Sequence, residues 1–332
     1  MDLTVIWAFI IAFAVAMYVV MDGFDLGIGI LFPSLAVGRE RDVAMNSIAP
    51  VWDGNETWLV LGGGGLMAAF PLAYAIVLPA LYAPLIAMLL GLVFRGVAFE
   101  YRWRDPGHRK FWDLGFCLGS LVATFAQGIT LGALLQGITV EGRAYAGGWW
   151  EWLTPFSLLT GASLVVAYAL LGACWLIWKT EAELNARARR HAIWLLPAFL
   201  LAIAAVSLAT PFLEAQYHQR WFQWPGLAVT ALMPFLFGGA ALAAWHGIRR
   251  GRRDWLPFAA ALAMFALTLA GLAISIWPDV IPGRVTIWQA AAPHSSQAFM
   301  LVGALVLVPV ILAYTAWSYW VFRGKVGERG YH

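Results

Sequence analysis

Residues 4–32 read TVIWAFIIAFAVAMYVVMDGFDLGIGILF, an unbroken apolar run whose only charges, Asp22 and Asp25, lie toward its end. About 20 predominantly apolar residues suffice for a helix to cross a bilayer, so this stretch predicts a transmembrane helix. It lacks the basic start and small-residue cleavage site of a secretory leader, and its apolar run is too long for one, so it reads as a retained span. The rest of the chain follows the same pattern. Of 332 residues, 62% are apolar and 12% charged. That charged share is about half the soluble norm, and the apolar share could supply about nine spans. A net charge of +3 gives no reason to expect a nucleic-acid partner.

Windows of about 19 residues place spans near 4–32, 50–70, 74–99, 113–138, 155–178, 191–212, 222–247, 255–277 and 297–322. Only the stretch Pro71–Tyr74 separates the second from the third, and Pro50, with Ser47 as a cap, suits the start of the second. No tandem repeat or soluble linker interrupts them, so residues 1–332 read as a single polytopic membrane domain. Charge supplies the direction. The loops after spans 1, 3, 5 and 7 and the C-terminal tail hold 17 Lys+Arg, whereas the N-terminus and the other loops hold 3. Because Lys and Arg stay cytoplasmic, the N-terminus is expected outside and the C-terminus inside. The tryptophans at 149, 150, 152, 221 and 224 then fall near outer span ends, as in an interfacial belt.

Charges inside spans are the informative ones, since each is expensive in hydrocarbon. Asp22 and Asp25 are three apart on one helical face, and span 2 opens P50-V-W-D-G-N-E-T-W58, with Asp53 and Glu56 at the same spacing. Antiparallel spans bring both pairs into the cytoplasmic half, Asp25 about 10 Å from its helix end. Arg95, then Glu100, reaches a similar depth on span 3. Several acids beside one Arg cannot all ionise cheaply, so at least one is expected to carry a proton near neutral pH. Two readings fit: a proton path opening to the cytoplasm, or a polar knot locking helices 1 to 3 together. Asp25 and Asp53 are the stronger candidates for proton carriage, Asp22 and Glu56 for structure.

Other chemistry is scarce. Cys117 and Cys174 lie in apolar runs and form no metal-ligand spacing. Of the six histidines (108, 191, 218, 246, 294 and 332), none is expected mid-span, which argues against paired axial haem ligation within this chain. Gly23 and Gly27 form a small-x-x-x-small face, and Gly62 to Gly65 run consecutively; both read as helix-packing features.

Several stretches together resemble subunit II of the cytochrome bd-type quinol oxidases, most of all the cyanide-insensitive branch. They are MDGFDLGIGILFP (21–33), NSIAPVWDGNETWLVLGGGGL (46–66), FRGVAFEYR (94–102), WDLGFCLGSL (112–121), LLQGI (134–138) and TAWSYWVF (315–322). The resemblance implies an all-α fold of two four-helix bundles plus a peripheral helix. It implies a heterodimer with a haem-bearing subunit I in the bacterial cytoplasmic (inner) membrane. That partner ligates two b haems and one d haem, and the complex oxidises quinol and reduces dioxygen to water with cytoplasmic protons. Some members add a small accessory subunit or a structural quinone. By the same resemblance Asp53 belongs to a proton pathway, Asp25 sits close to it, Arg95 matches the family's Arg in the F-R stretch, and Trp58 lies by an apolar oxygen route. Trp52, the first Trp of that motif, is grouped with Trp58 in oxygen access or helix packing. Members outside the branch often have Gln where Glu56 stands, which weakens the case for Glu56. The alternative from another class is a stand-alone proton-coupled transporter, against which stands the lack of inverted half-repeats.

Overall fold

In a bilayer each backbone N–H and C=O must be satisfied without water, so the apolar runs become helices. The computed structural model describes residues 2–224 and 226–326; His332 and Arg329, both counted above, lie outside the described residues. Helix α1 (Leu3–Leu31) is capped by Asp2, whose carboxylate accepts from the Thr4 N–H at 2.9 Å. A short α2 (Arg39–Asn46) leads to α3 (Trp52–Ala69), α4 (Pro71–Ala80), α5 (Tyr82–Arg104) and α6 (Arg109–Leu135). The hairpin β1 (Val140–Glu141) and β2 (Ala144–Tyr145) precedes α7 (Pro155–Lys179), α8 (Ala182–Ala209) and α9 (Ala215–Phe222). Then come α10 (Gly226–Arg250), α11 (Trp255–Ile276), the hairpin β3 (Asp279–Ile281) and β4 (Val285–Thr286), α12 (Ile287–Ala290) and α13 (His294–Val321). Among the described residues eight helices are each long and apolar enough to cross a membrane, and the bent pair α3–α4 makes up to nine.

The third span expected at 74–99 needs correction. Its beginning belongs to α4, which is bent by 120° from α3, and the crossing helix is α5, starting at Tyr82. Prolines explain the break. Phe70 leaves helical geometry (φ −129°, ψ 61°), Pro71 follows without an N–H, and Pro79 removes a hydrogen bond near the end of α4. Pro84 sits in the first turn of α5, where a missing N–H does no harm. At the start of α3 the expected roles of Pro50 and Ser47 also fail. The helix begins at Trp52 after Val51, and Ser47 instead closes α2, its hydroxyl donating to the Ala44 carbonyl at 2.7 Å. The sixth span starts earlier than 191, because α8 takes in Arg187, Arg189 and Arg190 from Ala182 onward. The strands of the two hairpins have no counterpart in the sequence reading, being too short to show a period.

Packing divides the spans into two groups. Helices α7, α8, α10 and α11 pack in a ring, each against its neighbours. Helices α1, α3, α5 and α6 form the other bundle, closed between α3 and α5 by Trp52 against Phe99, ring centroids 5.0 Å apart. The bundles meet where α1 and α6 press on α7. Glycine permits that seam: Gly27 of α1 lies directly against the Tyr168 carbonyl and the Gly172 amide of α7, so a Cβ has no room. Phe24 stacks on Trp175 at 4.1 Å beside the same crossing. Helix α3 runs uninterrupted through Gly62 to Gly65, of which only Gly62 and Gly65 are buried. The peripheral α13 packs on α1 and α3 and leaves Phe299, Val302 and Trp317 exposed.

Candidate functional site: a buried acid cluster on three helices

Asp22 and Asp25 share one face of α1 and are both 0% exposed. The facing stripe of α3 is Asn55, Trp58, Gly62, Gly65 and Ala69, the buried positions of that helix. From α5 comes Arg95, 1% exposed. Its Nη1 donates to Asp22 Oδ1 at 2.7 Å, and its Nη2 lies 3.8 Å from the half-buried Glu56 carboxylate. The guanidinium also stands 5.8 Å from the centre of the Trp52 ring, a cation–π contact that ties α5 to α3.

Asp25 has different company. Its Oδ2 accepts from Asn55 Nδ2 at 2.7 Å, and the same amide nitrogen lies 3.3 Å from the Met21 carbonyl. Asn55 Oδ1 accepts from the Tyr319 hydroxyl of α13 at 2.9 Å. Asp25 is thus held by an amide, not by a cation. Asp22 Oδ2, Asp25 Oδ1 and the hydroxyls of Tyr18 and Tyr168 are buried without hydrogen-bond partners among the described residues.

Not every predicted residue joins the cluster. Asp22, Asp25, Glu56 and Arg95 come together, whereas Asp53 is exposed on the first turn of α3, one helical turn before Glu56. Glu100 does not share the neighbourhood, contrary to expectation. Five residues after Arg95 it is rotated by about 140°, and it meets Arg104 at 3.9 Å on the exposed side of α5. Trp58 is fully buried, its ring edge-on to Phe13 at 5.7 Å and its Nε1 unpaired among the described residues.

Two participants escaped the sequence reading. Asn55 stands inside the motif quoted for its acids and could have been found from its 3.6-residue stripe with Trp58 and Gly62. Tyr319 has no such signal, since 264 residues separate it from Asn55. A second ionic network also emerges at the ends of the helices, where Arg102, Asp113, Asp42 and Arg41 meet.

None of the five described histidines is buried, His191 being partly exposed and the others fully so. Among the described residues no group of three or more His, Cys, Asp or Glu side chains is placed to hold a metal ion.

Comparison with known proteins gives a consistent answer. The chain is 30% identical to cytochrome bd-I ubiquinol oxidase subunit 2 of Escherichia coli (strain K12), over 97% of this chain and 94% of that protein. It is 28% identical to cytochrome bd ubiquinol oxidase subunit 2 of Bacillus subtilis (strain 168), covering 98% and 97% of the two chains. A chain in the structure of bd oxidase from Geobacillus thermodenitrificans shares the fold, with a TM-score of 0.71 at 19% identity, over 95% of this chain and 98% of that one. A family model described as cytochrome bd terminal oxidase subunit II matches residues 3–322, and the chain belongs to that family.

Proposed function

We propose that this chain is the haem-free subunit of a bd-type quinol oxidase in a bacterial cytoplasmic membrane. Its partner is a subunit carrying two b haems and one d haem, which supply electron transfer and the reduction of dioxygen. Quinol is the electron donor, and this chain alone is not catalytic. Bilayer lipid surrounds the exposed apolar belt, and a small accessory subunit, as in some members of the family, fits the same reading. Full-length membership of the oxidase family supports this over a stand-alone transporter. The 17-to-3 distribution of Lys and Arg supports an outer N-terminus and an inner C-terminus.

The chain's own contribution is to stabilise the complex and to move protons toward the partner. Reducing dioxygen to water consumes as many protons as electrons, so the complex needs an inward route. Asp53, exposed at the start of α3, is the collecting group, and Glu56 one turn further is the bridge. Asp22, Asp25 and Arg95 form the interior station. The observation that carries this reading is the 2.7 Å Arg95–Asp22 pair beside Asp25, whose partner is an amide. One cation cannot balance three carboxylates in a low dielectric, so the cluster holds a proton available for exchange. For Trp58 and Trp52 the geometry supports helix packing: one is sealed against Phe13, the other lies between Phe99 and Arg95.

The test is Asp53→Asn in the assembled complex. Oxygen-uptake turnover should fall about tenfold or more with the haem spectra retained; unchanged turnover defeats the proton route. The oxidase assignment has a separate test. Co-expression with the neighbouring oxidase gene should give a reduced-minus-oxidised haem d band that requires both genes. A chain that purifies alone, colourless and active in transport, would sink it.

A further inference from the structure

Where α7 and α13 end and α11 begins, a cavity of about 360 Å³ opens between Trp178, Trp255 and the side chains of Arg252, Arg253, Arg323 and Lys325. Its wall also contains one acid, Asp254, which is already engaged on both oxygens, by Arg189 at 2.5 Å and by Lys325 at 2.5 Å. Arg252 and Arg253 are exposed and make no ion pair among the described residues. Among the described residues the cavity therefore has an excess of positive charge.

Its other wall is built by the segment after α13. Lys179, at the end of α7, donates to the carbonyls of Phe322 and Gly324 at 2.5 and 2.9 Å, and the Val326 N–H donates to the Lys179 carbonyl at 2.8 Å. This strap carries Arg323 and Lys325 to the turn between α10 and α11. It also reinforces the link of α13 to the second bundle, where Tyr319 meets the Trp175 ring edge-on at 6.2 Å. The two indoles add amphipathic surface at a level where spans give way to water, the usual place of such rings.

We propose that this cavity binds the phosphate headgroup of an anionic membrane phospholipid. Arg252 and Arg253 take the phosphate, Lys325 (paired with Asp254) and Arg323 (stacked on Trp320 at 4.1 Å) add positive field from the facing wall, and Trp178 and Trp255 flank the glycerol and the start of the acyl chains. Basic pockets between helix ends on the cytoplasmic side suit this chemistry. A free phosphate would use the cations but have no use for the indoles. The bound lipid bridges the α10–α11 turn to the strap and so fastens the peripheral helix. This inference rests on the proposed function for the assembled complex and the cytoplasmic placement of the cavity, but it is tested without turnover, so the two fail separately.

The complex is purified and placed in nanodiscs of phosphatidylcholine alone or mixed with phosphatidylglycerol. Native mass spectrometry then counts the phosphatidylglycerol retained, and thermal unfolding reports stability. The double variant Arg252→Gln/Arg253→Gln, at two exposed and unpaired side chains, should hold the lipid roughly thirtyfold more weakly and lose most of the lipid-dependent rise in unfolding temperature. Arg104→Gln, at an exposed basic residue elsewhere, should behave as wild type. Equal retention in the double variant overturns the proposal, as does an equal loss in Arg104→Gln. Inorganic phosphate reproducing the stabilisation would overturn the lipid assignment.

Discussion

Two helical turns apart on α5, Arg95 and Arg102 are equally buried, each 1% exposed, in opposite surroundings. Arg102 donates to Asp113 at 2.5 Å and to Asp42 at 2.7 Å. Arg41 takes the second oxygen of Asp113 at 2.6 Å, and Arg109 lies 3.9 Å from Asp42. Cations there match or outnumber acids, and the network clasps α2, α5 and α6 together. Around Arg95 the acids outnumber the cation, and carboxylate oxygens and tyrosine hydroxyls remain unpaired among the described residues. In the proposed function the balanced network has nothing to exchange, whereas the unbalanced one is the place for a transferable proton. The same helix thus carries a fastening at its end and a candidate proton station in its interior.

The largest effect should come from Arg95→Met. It strands Asp22 without a cation, and removing one partner of a buried pair costs about 3–5 kcal/mol, so thermal unfolding of the complex should show a large drop or failed assembly. Arg102→Met should cost less, because Asp113 keeps Arg41. A larger loss at Arg102 breaks the contrast. Next come the acids. Asp113→Asn should lower stability by about 2 kcal/mol and leave turnover per haem unchanged. Asp25→Asn should do the reverse, slowing oxygen uptake while the unfolding temperature holds. If both slow turnover equally, the distinction between clasp and station is lost.

Smaller effects sharpen the picture. Tyr319→Phe removes the hydroxyl donated to Asn55 and should cost about 1 kcal/mol, read in the same unfolding assay. Smallest is the turn between α5 and α6. There the His108 ring, 2.9 Å away, and the Trp112 indole, at 3.1 Å, hold the exposed Asp105 carboxyl below its usual range. A lowered folded-state pKa stabilises above the unfolded value of about 3.9, and that contribution is lost as pH falls through the folded value. Acid-unfolding curves of wild type and Asp105→Asn should therefore differ slightly above about pH 4 and merge below it.

Much of this site could be read in one dimension. Asp22 and Asp25 announce themselves because a charge within a span needs a reason, and their spacing puts them on one face. The same logic missed Asn55, an uncharged residue between two acids, although it bridges Asp25 to α13. It also grouped Glu100 with the cluster by depth, where helical rotation turns it outward to Arg104. The division of residues 71–104 into two helices depended on Pro79 and Pro84, which flank the break at Leu81 and which hydropathy averages away.

Membrane residence, the approximate count of spans and the charge asymmetry follow from the sequence alone, because the bilayer acts on each segment by itself. A run is apolar enough to cross or it is not, and a charge within it is costly whatever its neighbours. Partnership is another matter. That Arg95 meets Asp22 while Asp25 meets Asn55 depends on the rotation and crossing of α1, α3 and α5. Those are set by contacts distant in sequence, such as Gly27 against Gly172. Only the assembled bundle decides which buried acid faces a cation and which faces an amide.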